Sequence, residues 1–125
     1  MLKNIVVDLG GVVVAHNAES FKEKLGDFFS FVFGPDMKCV PSFWCDYDLG
    51  ILTIDETAAE VAKFRNCDAA TAKAHMLQAI ALQEEVAPTV ELIKELKAKG
   101  YKLYVLSNMS KEYIEFLREF PVFDY

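Results

Sequence analysis

Cationic residues are in short supply. The 125-residue chain has 13 Lys and Arg against 19 Asp and Glu, a formal net charge of −6 and a pI near 4.9. With no Lys/Arg cluster anywhere, that balance excludes nucleic acid and anionic membrane surfaces as partners. Cysteine is equally sparse. Cys39, Cys45 and Cys67 are odd in number and lack metal-type spacing, so reduced thiols in a cytoplasmic protein are expected rather than a disulfide framework or a zinc site. The amino terminus offers one Lys before an apolar stretch that Asp8 interrupts, which suits neither a signal peptide nor a membrane span. No internal repeat or low-complexity segment occurs. A Gly-x-Gly-x-x-Gly loop is also missing after the first apolar run, which counts against a nucleotide-binding α/β module.

Apolar residues, by contrast, are plentiful. They make up 53% of the chain, and the mean hydropathy is +0.17. That is ample for the core of one domain and excludes disorder. The opening run Ile5-Val6-Val7-Asp8-Leu9-Gly10-Gly11-Val12-Val13-Val14 reads as a parallel-sheet strand buried on both faces. It delivers a carboxylate and breaks on two glycines. Asp before Gly-Gly is a good turn former, so Asp8 admits both a turn reading and a catalytic one.

Helical periods follow. Phe21, Leu25, Phe28, Phe29 and Val32 form an apolar stripe that predicts a helix over 18–32, ended by Gly34-Pro35-Asp36. Residues 37–51 lack a clear period and read as loop with short helical turns. Thr53 and Glu56 form a capping box that opens a helix to about Arg65. Asp68 caps another to about Gln83, with Met76, Leu77, Ile80 and Ala81 on its inner side. Pro88 begins a helix with Leu92, Ile93 and Leu96 inward, ended by Gly100. Residues 101–106 predict a second strand, ending in Ser107-Asn108. Ser110 caps a last helix with Tyr113, Ile114 and Leu117 inward, and Val122-Phe123 reads as a third strand or its approach.

The order is strand, long helical insert, helix, strand, helix. It predicts an α/β fold: a partial doubly wound parallel, Rossmann-like core with an α-helical cap inserted after the first strand. Residues 1–15 and 87–125 would form the core, and residues 16–86 the cap. A parallel crossover brings Asp8 and Ser107-Asn108 to one edge of the sheet, with the insert over them as a lid. Two strands and part of a third are few for such a sheet, so the core is expected to be incomplete or completed by something outside this sequence.

A strand-end Asp beside a strand-end Ser-Asn suits phosphoryl transfer. The carboxylate can attack phosphorus, the hydroxyl and nearby amides can hold phosphate oxygens, and Gly10-Gly11 allow close backbone approach. Magnesium takes one or two carboxylates plus phosphate and water oxygens, so Asp8 can also serve as its ligand.

These residues resemble the haloacid dehalogenase-like (HAD) hydrolases. Asp8-Leu9-Gly10-Gly11-Val12 after an apolar strand is similar to that family's first motif, Leu106-Ser107-Asn108 to its second, and the insert to its small helical cap. The resemblance implies a magnesium-dependent phosphatase of a small phosphate ester such as a sugar phosphate. Asp8 would be nucleophile and metal ligand, the Gly10 carbonyl a second ligand, and Ser107, Asn108 and Gly11 the phosphate-binding groups. Most phosphatase members carry a second Asp where this chain has Gly10. Dehalogenase members usually have an aromatic there and a Thr at the position of Val12, so dehalogenation ranks below phosphatase action. The family's third-motif lysine and fourth-motif acids follow the point where this sequence stops; Lys111, on the helix after the second motif, reads as a surface residue. A non-catalytic fragment is the rival reading. It would at most bind phosphate or a partner and would self-associate through an incomplete sheet edge.

His16 reads as a linker residue, with a place at the mouth of the site as the alternative. His75 reads as structural or exposed, and Trp44 and Tyr47 as the insert's own small core rather than a substrate pocket. Asp46 and Asp48 suggest metal binding only weakly; Asp55 and Glu56 belong to a helix start, and Glu84-Glu85 to a solvated hinge.

Overall fold

A computed structural model describes residues 3–33 and 40–125. Cys39 and the expected helix stop at Gly34-Pro35-Asp36 lie outside the described residues. Strand β1 (Asn4–Val7) pairs in parallel with β4 (Lys102–Val105), with Val7 opposite Val105. The Leu106 amide extends the ladder to the Val7 carbonyl at 3.0 Å. The expected juxtaposition of the two strand ends is therefore real. Burial of both strand faces is not: Val6 is 61% exposed, Val105 50% and Leu106 75%. Among the described residues each of these strands pairs only with the other, which leaves each with an unpaired edge, and the face that carries Val6, Tyr104 and Leu106 is exposed.

A second, antiparallel pair was not foreseen. Strand β2 (Val14–His16) leaves the glycine turn, and β3 (Gln83–Glu85) returns beside it, with Ala15 opposite Glu84. Glu84 and Glu85 are thus ladder residues and not a solvated hinge. The Val86 amide closes the ribbon on the Val13 carbonyl at 2.7 Å. Between these strands run α1 (Ala18–Leu25), α2 (Ser30–Phe33), α3 (Ser42–Asp48), α4 (Ile54–Arg65) and α5 (Ala69–Ala81). The ribbon is the stem through which this helical insert joins the sheet.

The helix expected over 18–32 is broken. Asn17 caps α1 through its side chain, and Gly26 ends it with φ 56°, a conformation costly for a residue with a Cβ. The chain turns and resumes as α2, while Leu25, Phe29 and Val32 still bury together. Arg65 holds the break in place. Its guanidinium donates to the Phe28 and Asp27 carbonyls and the Ser30 hydroxyl at 2.7–3.1 Å, and stands 5.0 Å from the Phe31 ring centre. The Thr53–Glu56 capping box and the Asp68 cap form as expected. On α5, Met76 and Ile80 face inward as expected, joined by Ala72 and Ala79, while Leu77 and Ala81 are exposed. An inward row at 72, 76, 79 follows the 3.6-residue period more closely than the larger side chains suggest.

The rest of the chain packs on the sheet. Helix α6 (Ala87–Ala98) carries Pro88 in its first turn and buries Ile93, but Leu92 is exposed. Helix α7 (Lys111–Leu117), capped by Ser110, buries Tyr113 and Leu117. Pro121–Asp124 is a 3-10 turn and not a third strand; its Val122 packs with Leu9, Val13 and Ile93. Proline fixes φ in the helical range and has no amide for a ladder, which favours this turn over a strand. Apolar burial thus gathers in two clusters, one within the insert around Phe29 and Trp44, the other beneath the sheet around Leu9 and Leu117. No helix among the described residues is long and apolar enough to cross a membrane.

Candidate active site

The glycine turn after β1 is wound around one carbonyl. Leu9 O accepts from the amides of Val12, Val13 and Val14 at 2.9–3.1 Å, which bends the chain from sheet into ribbon. Gly11 sits in this turn with φ 76°, where a Cβ would strain the backbone. Gly10 is different: its φ is ordinary, and an added Cβ would meet only Met109 Cε at 3.5 Å. Asp8 is exposed, and its Oδ1 accepts from the next amide, Leu9 N–H, at 2.7 Å. The turn reading of Asp8 is therefore satisfied geometrically, while Oδ2 makes no hydrogen bond among the described residues.

A cleft of about 340 Å³ opens next to this turn. Gly10 and Gly11 form one wall, with Asn108 and Met109 from the loop after β4. Ala15, His16 and Gln83 come from the ribbon, Asp48 from the end of α3, and Tyr113 from α7. Of the residues singled out in the sequence, Gly10, Gly11 and Asn108 meet in one wall. Asp8 and Ser107 do not line it; they stand at the ends of the two paired strands, two residues and one residue away from wall positions.

His16 is no mere linker. It lies in β2 with its ring 4.4 Å from that of Phe21, and burial holds its pKa below the usual imidazole value. Asp48 has the opposite displacement: burial of its carboxyl pushes the pKa up to about 6. Next to it, Trp44 and Tyr47 are buried in the insert's core and do not line the cleft. The Tyr47 hydroxyl is buried beside Ser110 and Glu112, and burial pushes its pKa well above the ordinary phenol range. Burial also raises the Tyr113 phenol well above its ordinary range. His75 stacks on Phe28 at 4.4 Å and shares a 2.8 Å hydrogen bond with Thr71 O, so its role is structural. Lys111 is on the surface, 3.8 Å from Glu115.

Asp48 is the site residue that sequence reasoning undervalued. One signal was available. An acidic side chain in the last turn of a helix opposes the macrodipole, an unfavourable position that calls for a reason.

No protein-family model and no curated protein matches this chain. Solved structures do. A HAD family enzyme from Bacteroides thetaiotaomicron, in its magnesium complex, superposes with a TM-score of 0.68 over 99% of this chain at 20% identity. The fold is haloacid dehalogenase-like. A second structure of that enzyme gives a TM-score of 0.67, again at 20% identity and 99% coverage. This chain spans 64% and 65% of those two chains. The haloacid dehalogenase-like fold places the β1 and β4 ends side by side, and the described residues include no cluster of three or more His, Cys, Asp or Glu suited to a metal ion.

Proposed function

We propose that the chain forms the nucleophile-bearing part of a magnesium-dependent phosphatase acting on a small phosphate ester, of which a sugar phosphate is an example. The observation that carries this reading is the parallel pairing of β1 with β4. It sets Asp8 next to Leu106-Ser107-Asn108 at one sheet edge, beside a cleft walled by Gly10, Gly11 and Asn108. In this reading residues 1–15 and 87–125 are the core and 16–86 the cap, and the protein is cytoplasmic with reduced thiols.

Asp8 Oδ2 attacks phosphorus and forms an acyl phosphate, which water then cleaves. The Ser107 hydroxyl, the Asn108 backbone and the Gly11 amide hold phosphate oxygens. The donors offered to magnesium are the Asp8 carboxylate and the Gly10 carbonyl, both hard oxygens of the kind that ion takes. The Gly10 carbonyl accepts none of the turn's backbone hydrogen bonds, which leaves it open to such a role. Two protein oxygens fit an ion that fills its remaining positions with phosphate and water oxygens. Bound there, magnesium would offset the phosphate charge as the nucleophile approaches.

Hydrolysis of a generic phosphate ester is expected to require magnesium, stop on chelation and fall in Asp8→Asn. A rate indifferent to chelation, or equal in Asp8→Asn, rules the reading out.

A further inference from the structure

An alkoxide leaving from phosphorus needs a proton, and positioned proton transfer is worth about 10²–10⁴ in rate. Gly10 and Gly11 cannot give one, nor can the amides of Asn108 and Gln83. Among the described residues three titratable side chains line the cleft: His16, Asp48 and Tyr113. Tyr113 is nearly closed off within α7, and its phenol holds its proton too tightly. His16, pushed down by burial, is largely neutral near pH 7. We propose that Asp48, which α3 of the insert brings into the same cleft that Gly10 and Gly11 line, is the proton donor to the leaving oxygen, an inference that rests on the phosphatase reading above.

Its surroundings support the role. Asp48 is faced by His16 from β2, Tyr113 from α7 and Tyr47 of its own helix, with Glu112 of α7 near Tyr47. Among the described residues no Lys or Arg lines the cleft to hold the carboxyl ionised. With a pKa of about 6, roughly a tenth of Asp48 is protonated at pH 7, a workable acid that becomes a workable base. The step balances. As Asp8 Oδ2 bonds to phosphorus, the bond from phosphorus to the ester oxygen breaks, and the Asp48 proton passes to that oxygen to give the free alcohol. The Asp48 carboxylate then takes a proton from water as that water's oxygen bonds to phosphorus. Orthophosphate leaves, and Asp8 returns to a carboxylate.

The test compares kcat/KM on two esters, an alkyl phosphate such as glycerol 3-phosphate and p-nitrophenyl phosphate, whose phenolate leaves without help. Asp48→Asn is expected to lose about 10²-fold or more on the alkyl ester and little on the nitrophenyl ester. Asp48→Glu is expected to recover part of the loss. Equal losses on both esters, or none on either, overturn the assignment while leaving the phosphatase reading intact. Wild-type protein inactive on both overturns the phosphatase reading and this one with it. Carbon NMR gives a readout free of turnover: the Asp48 carboxyl should titrate near pH 6, and a midpoint in the ordinary carboxylate range counts against the role.

Discussion

Asp48 pays for its position in stability. A carboxyl whose folded pKa lies near 6, above its unfolded value, binds more protons in the native state than in the unfolded one. Its favourable contribution is complete below about pH 4 and is lost as pH rises through 6. Asp48→Asn should therefore raise Tm at pH 8 and leave it nearly unchanged at pH 4, as differential scanning calorimetry would show. A Tm difference that does not vary between those pH values would mean the carboxyl is not buried as described. At this scale the strand-end and turn placement of Asp8, Gly11 and Asn108 was legible, because such positions follow from local pattern. Asp48 carried only a weak metal-binding reading, and His16 a place at the mouth of the site only as the alternative to a linker residue. Their meeting in one wall depends on how the insert folds back over the glycine turn, and no local pattern encodes that return.

Element ends were legible wherever a side chain closes them. The Thr53–Glu56 box, the Asp68 cap, Pro88 and Ser110 each mark a helix start that the structure keeps. Elements set by distant partners were not. The break at Gly26 interrupts an apolar stripe that is continuous in sequence, and the three-residue ribbon strands are too short to show alternation. Arg65 is the counterpart of that break, joining α4 to the turn before α2 through three hydrogen bonds and aromatic contact. Arg65→Met keeps the side-chain stem but removes every donor, leaving the Phe28 carbonyl without its partner. The loss should be about 1–3 kcal/mol in urea unfolding. A change below a few tenths would show that the turn holds itself.

The described residues form an insert with its own apolar cluster, joined by a two-stranded stem to a two-stranded parallel sheet. The order of elements made a helical insert between two parallel strands legible; the antiparallel stem was not legible, and the face at Val6, Tyr104 and Leu106 is exposed where burial of both strand faces was expected. Burial of that face could not be judged from apolar content, since three valines or leucines in a row look the same whether or not a neighbouring element covers them. The arrangement sets a carboxylate at a sheet edge beside a walled cleft, and the proposed function turns on covalent chemistry at Asp8. The direct measurement is to mix the protein with magnesium and a radiolabelled phosphate ester, quench in acid, and count label retained on the chain. A hydroxylamine-labile phosphoryl group, at most one per chain and absent from Asp8→Asn, is the predicted result. No retained label during turnover, or the same label on Asp8→Asn, would contradict it.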